Sequence, residues 1–327
     1  MKHLLTVLMI TAALPAQADI ARAVQDHILP AYAKFAASSA QLRDAATADC
    51  SIAAVRPAWN EAFDAWTAIS YLRLGPVEAS GRYSAIAFWP DERAATPKAL
   101  NALITKADPI IETAAGVNQI SVAARGFYAM EFLLYGDDFA GQTPYSCALI
   151  RALATDLADV SQAVSDDWVT GYGNLLITAG EPGNPTYTTL DEGYQALFTA
   201  LLSGLEFSAD AQLGRPLGSF ERPRPKQAEA WRSGRAQRNV LLSLQTLAAL
   251  KATMVDAPTP LTDAAFARVI KLADGLNDPT FAGVADPGSR LKIEILQQSV
   301  FALRDVMLTE VGAVLGVGAG FNAADGD

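Results

Sequence analysis

Asp49-Cys50-Ser51-Ile52-Ala53-Ala54-Val55-Arg56-Pro57-Ala58-Trp59-Asn60-Glu61-Ala62-Phe63-Asp64-Ala65-Trp66 is the stretch that decides the fold class. Its three large aromatics, Trp59, Phe63 and Trp66, recur at i, i+4 and i+7, the spacing of one helix face. Such a bulky stripe reads as core packing. Asp49-Cys50-Ser51 supplies a helix start, and Gly75-Pro76 a stop. Working outward, the same periodicity continues along most of the chain, while strand-like alternation is nearly absent. Helices are expected over about 20–46, 121–135, 145–169, 190–213, 227–252, 261–272 and 289–314. Thr96-Pro97 opens another with a cap and a first-turn proline. Loops rich in Gly, Pro and charge separate them at 77–95, 171–185 and 214–225.

The fold class is therefore all-α, with the 171–185 break as the domain boundary. This gives an N-terminal helical bundle over 19–175, a C-terminal helical bundle over 186–319 and a tail over 320–327, each bundle of a four-helix type. Leu74-Gly75-Pro76 and Leu213-Gly214-Arg215-Pro216 hint that the two repeat a common plan.

Residues 1–18 read as a signal peptide. Lys2 and His3 form a short positive end, Leu4–Leu14 an apolar stretch, and Ala16-Gln17-Ala18 the small-x-small cleavage pattern, with cleavage after Ala18. The apolar run is shorter than the ~20 residues that span a bilayer, and no later stretch has the character of a transmembrane helix. The residue directly after the cleavage position is Asp19 and not a cysteine, which argues against a lipid anchor there and for a soluble exported protein. Export makes a Cys50–Cys147 bridge the default for the two cysteines, closing a long loop worth ~4–5 kcal/mol in the chain-entropy model. With 25 Lys+Arg against 35 Asp+Glu, the net charge of −10 argues against nucleic acid and anionic membrane surfaces as partners. At 51% hydrophobic residues a sizeable core is available.

The chemistry concentrates in Arg125-Gly126-Phe127-Tyr128-Ala129-Met130-Glu131-Phe132-Leu133-Leu134-Tyr135-Gly136. Glu131 sits in a helix apolar almost all round, hence buried. A buried carboxylate must find a cation, a metal or hydrogen-bond donors, or take up a proton. Tyr128, three residues earlier, shares its face. One reading is a binding site on a rigid helix. The other is a structural Glu tied to Arg73, Arg82 or Arg125, with Tyr128 as hydrogen-bond partner.

This segment resembles the imelysin-like proteins, whose signature is Gly-x-His-x-x-Glu in a run ending Glu-aromatic-Leu-Leu-x-Gly. Gly126 and Glu131 match it, and Tyr128 stands at the His position. Tyr71-Leu72-Arg73-Leu74-Gly75-Pro76, Ala87-Phe88-Trp89-Pro90-Asp91, Leu213-Gly214-Arg215-Pro216-Leu217-Gly218 and Gly320-Phe321-Asn322-Ala323-Ala324-Asp325-Gly326-Asp327 extend the resemblance over most of the chain. The family implies two helical bundles related by an approximate two-fold axis, the signature near the groove between them, a bacterial envelope location and an association with iron uptake. An older label calls such proteins peptidases. An imidazole is a common ligand for divalent metals and a phenol is not, although tyrosinate binds ferric iron. Tyr128 therefore implies either a shift toward ferric iron or a groove that binds something else.

A zincin needs two histidines at i and i+4. The only histidine after residue 18 is His27, on an amphipathic helix, where it reads as a packed or surface residue. No Gly-x-Ser-x-Gly elbow or phosphate loop is present. The expectation is a non-enzymatic periplasmic binding or accessory protein of iron acquisition, with Arg125, Gly126, Tyr128, Glu131, Arg73 and Arg82 around the ligand. Tyr128, Glu131, Glu78 and Asp91 are the candidate ligands for iron or another metal ion, and an envelope iron-uptake protein is a candidate partner. An envelope peptidase-type hydrolase and a metal-free protein-binding scaffold are the alternatives. Arg215, Arg222, Arg224, Arg232, Arg235 and Arg238 read as solvated or salt-bridged surface, or as a receiver for an anionic ligand or a carboxylate of the other bundle.

Overall fold

The structure is a computed structural model, and it describes residues 19–139, 141 and 143–318. The expected signal peptide, the 320–327 tail and its Asp325 and Asp327 lie outside the described residues. Among the described residues there is no strand, only an isolated bridge between Ser219 and Arg222. The fold is all-α.

Helix α1 is assembled from Ile20–Arg22, a π-helical Ala23–Ile28 stretch and Leu29–Ala48, and Asp19 caps its first turn through the Arg22 amide at 2.9 Å. Helix α2, Ile52–Thr67, is capped by Ser51. Its stripe is core as expected: Trp59, Phe63 and Trp66 are at most 2% exposed. Helices α3 (Ala95–Lys106) and α4 (Gly126–Tyr135) follow. Helix α5 starts at Pro144 behind a Thr143–Ser146 capping box and runs to Asp167. α1 lies along both α2 and α5, and α4 is wedged between α2 and α5. Phe127 of α4 stacks on Phe63 with ring centroids 4.6 Å apart.

The second group comprises α6 (Leu190–Glu206, a π-helical Phe207–Gly214 stretch and Arg215–Leu217), α7 (Ala236–Met254), α8 (Pro260–Asp274) and α9 (Pro287–Leu315). α9 packs on α8 and α6, and α7 on α8 and α6. One continuous apolar core runs through both groups, from Ile20 to Leu315. Polar contacts also join them: Asp64 of α2 pairs with Arg235 and Arg238, and Thr246 donates to the Ala68 carbonyl at 2.6 Å.

Cys50 and Cys147 are bridged, with Cα atoms 5.4 Å apart, and tie the start of α2 to the first turn of α5. No helix among the described residues is long and apolar enough to cross a membrane.

Several element ends differ from the sequence reading. α2 stops at Thr67, well before Gly75. The helix expected from 145 to 169 passes through a π-helical Trp168–Tyr172 turn to Ile177, so the proposed 171–185 break starts inside a helix. Gly214-Arg215-Pro216 does not end α6, which stops at Gly218 with φ +54°. The helix expected at 121 is a capped 3-10 turn, Val122–Ala124, and α4 itself starts at Gly126. Most consequential, α7 starts at Ala236, and 228–235 is a folded loop.

Candidate functional site

The site begins at Gly126. Its φ of +70° is left-handed, and a Cβ there would lie 2.1 Å from the Ile86 carbonyl oxygen and 2.4 Å from that of Ala85. Only glycine lets α4 start pressed against this turn. From there α4 runs buried through the core and presents Tyr128 and Glu131 toward the 228–235 loop.

The loop supplies a partner to each. The Tyr128 hydroxyl donates to Glu229. The second Glu229 oxygen accepts from Gln212 at 2.6 Å, and the same amide reaches Ser243 at 3.4 Å. Glu131 accepts two hydrogen bonds on one oxygen, from the Ser233 amide at 2.9 Å and its hydroxyl at 2.8 Å. Burial pushes the Tyr128 phenol well above its ordinary pKa, reinforced by the charge of Glu229, so Tyr128 keeps its proton. Burial also raises the carboxyls of Glu131 and Glu229, against the pull of their hydrogen bonds.

Above this pair lies a cavity of about 170 Å³. Its walls are aromatic, with Trp89 stacked over Tyr128 at 6.3 Å and Trp231 and Phe132 opposite. Arg215, Lys226 and Arg232 also line it. The Arg232 guanidinium lies 3.7 Å from the Phe132 centroid and 4.5 Å from that of Trp231. Lys226 lies 5.6 Å from the Trp231 centroid, and Arg215 reaches Glu92 at 3.1 Å.

The other expected site residues lie elsewhere or are already engaged. Arg125 is buried in a two-bonded pair with Asp156 (2.6 and 2.9 Å) and donates to Asn118, so it does not serve Glu131. Arg82 binds Asp167 at 2.6 Å and the Pro76 carbonyl. Arg73 pairs with Glu78 at 3.0 Å and lies over Tyr83, in a second, larger groove of about 1240 Å³. Asp91 lines the small cavity, but both its oxygens cap α3, accepting from the Ala95 and Thr96 amides at 2.8 Å each. The expected set of Tyr128, Glu131, Glu78 and Asp91 is therefore not assembled. Among the described residues no group of three or more His, Cys, Asp or Glu is placed to hold a metal ion.

Sequence reasoning missed Glu229, Gln212 and Ser233. Glu229 was absorbed into an expected helix, and only Gly234 signalled that the chain breaks there. Arg235 and Arg238 do meet a carboxylate across the groups, Asp64. His27 lies elsewhere, its Nε2 2.8 Å from the Tyr71 hydroxyl, and burial lowers its pKa to about 4.

The family model described as imelysin (Peptidase_M75) matches residues 28–307. The chain belongs to the imelysin family. A curated relative, iron-regulated protein A of Synechococcus elongatus, is 24% identical over 328 residues, covering 92% of this chain and 87% of the relative. The crystal structure of an imelysin-like protein from Psychrobacter arcticum superposes with a TM-score of 0.78 at 22% identity, covering 92% of this chain and 96% of that one. A structure from Parabacteroides distasonis, described as an iron-regulated protein A precursor, gives a TM-score of 0.73 at 13% identity, covering 93% and 96%. These likenesses support the imelysin fold for this chain.

Proposed function

We propose that this imelysin-family chain is an exported, non-enzymatic binding protein of iron acquisition that seats its ligand in the cavity over Tyr128 and Glu131. The observation carrying this reading is that a phenol and a carboxyl, fixed on a rigid buried helix, face a cavity with aromatic walls and basic side chains. Polar groups converging in a concave site are a usual mark of a small-molecule site. The link to iron rests on the relatives named iron-regulated protein A. The periplasmic location rests on the 1–18 signal pattern and accords with the Cys50–Cys147 bridge.

A hydrolase finds little support. His27 is held by Tyr71, and burial keeps its imidazole neutral. Tyr128 is held as a protonated donor to Glu229.

The test is iron analysis of the protein beginning at Asp19, followed by calorimetric titration with ferrous and ferric iron, free and chelated. Wild type is compared with Tyr128→Phe and Glu131→Gln. An iron-bearing species binding at about micromolar, or roughly −8 kcal/mol, and weakened by both substitutions is expected. If no such species binds more tightly than about 1 mM, the iron reading fails. Binding indifferent to both substitutions moves the site elsewhere.

A further inference from the structure

The donor set over Tyr128 does not suit a bare metal ion. Tyr128 keeps its proton, one Glu131 oxygen is occupied by Ser233, and Asp91 is spent on the α3 cap. The unspent groups of the cavity are cationic. Arg232 is half-buried between Phe132 and Trp231 and, among the described residues, makes no hydrogen bond or ion pair. Lys226 also makes none and lies 5.6 Å from the Trp231 centroid. Arg215 gives one guanidinium nitrogen to the exposed Glu92, while its Nε is buried without a hydrogen-bond partner. The Thr96 hydroxyl, on the same wall, is also buried and unpartnered.

We infer that the ligand is a small organic acid carrying two or more carboxylates. Arg232 and Lys226 grip it, Arg215 and Thr96 line the cavity beside it, and Trp89 and Trp231 face its carbon skeleton. This rests on the cavity being the binding site, and it implies that iron reaches the cavity as an anionic chelate.

Charge decides for an anion. Glu131, Asp138 and Asp91 act on the Arg232 charge through space, but among the described residues none of them makes an ion pair with it. A guanidinium and an ammonium that make no hydrogen bond or ion pair among the described residues match a dianion, and a guanidinium fork matches a carboxylate in two-bonded geometry. Size and surface favour an organic acid over a bare inorganic anion. The cavity of about 170 Å³ is worth roughly five or six water volumes, and aromatic faces reward carbon rather than solvated oxygen. Guanidinium stacked on Phe132 and Trp231 is also held in one orientation before the ligand arrives.

The experiment is calorimetric titration of the protein from Asp19 with citrate, ferric citrate, inorganic phosphate and ferrous ion. Citrate is expected to bind at about micromolar and phosphate at least about tenfold more weakly. Arg232→Gln is expected to weaken citrate by about tenfold or more, with Arg232→Lys recovering part of the loss. A melting curve for each variant separates lost binding from lost folding. Citrate binding absent at about 1 mM, or unchanged in a folded Arg232→Gln protein, overturns the proposal. Phosphate binding as tightly as citrate overturns the organic-acid class. Ferrous ion binding without citrate also overturns it but leaves the iron function standing. Citrate binding with ferric citrate rejected sustains the anion site and sinks the iron function.

Discussion

Removing the Cys50–Cys147 bridge tests how the two helix starts are held. The bridge closes a loop across a sequence separation of 97. In the chain-entropy model a loop of that length removes ~16 cal/mol/K from the unfolded ensemble, or ~4.7 kcal/mol at 25 °C. Unfolding entropy near 2.1 cal/mol/K per residue gives ~0.6 kcal/mol/K for a domain of ~300 residues. The expected fall in Tm is therefore ~8 °C. A thermal melt followed by circular dichroism, comparing the oxidised protein, the reduced protein and a Cys50→Ser/Cys147→Ser double variant, measures it. The native contacts at this junction are short-range caps, from Ser51 for α2 and Thr143 with Ser146 for α5, and they survive reduction. The loss should then reside in the unfolded state. Oxidised and reduced proteins melting within ~1 °C of each other would refute the loop-entropy argument.

Two further outcomes follow from local structure. The His27 imidazole is held near pKa 4 by burial, below its ordinary 6.5. Its contribution to stability is present above pH 6.5 and is lost as pH falls toward 4, so its NMR titration midpoint should lie near 4, and a midpoint near 6.5 would show that it is not buried. Gly126→Ala forces a left-handed φ on alanine, costing ~1–3 kcal/mol, and drives a Cβ into two carbonyl oxygens. It should melt at least several degrees below wild type, whereas an unchanged Tm would mean that α4 does not start against Ile86.

The helices were legible because their information is local. Trp59, Phe63 and Trp66 announce a face by spacing alone, and they are core. Glu131 was legible as a buried carboxyl for the same reason, since its apolar neighbours surround it. The Cys50–Cys147 pairing followed from having two cysteines and an export pattern. What escaped was non-local or irregular. Tyr128 meets Glu229 across 101 positions of sequence, and Glu131 meets Ser233 across 102. No helical period encodes such a meeting. The 227–235 stretch is rich in good helix formers, Gln, Ala, Glu and Arg, so propensity favoured a helix where burying Glu229 against Tyr128 prevails. Thr96-Pro97 resembled a cap and first turn, but the cap comes from Asp91, reaching over the intervening turn. The difference there is one of role: a residue expected to face a metal caps the start of a helix.

That cap has a further consequence. Asp91 lies two residues beyond Trp89, which forms a wall of the small cavity. The chain that carries this wall is anchored by the two amides at the start of α3. Any displacement of Trp89 therefore loads the same short tether, so the cavity wall and the first turn of α3 are mechanically one piece.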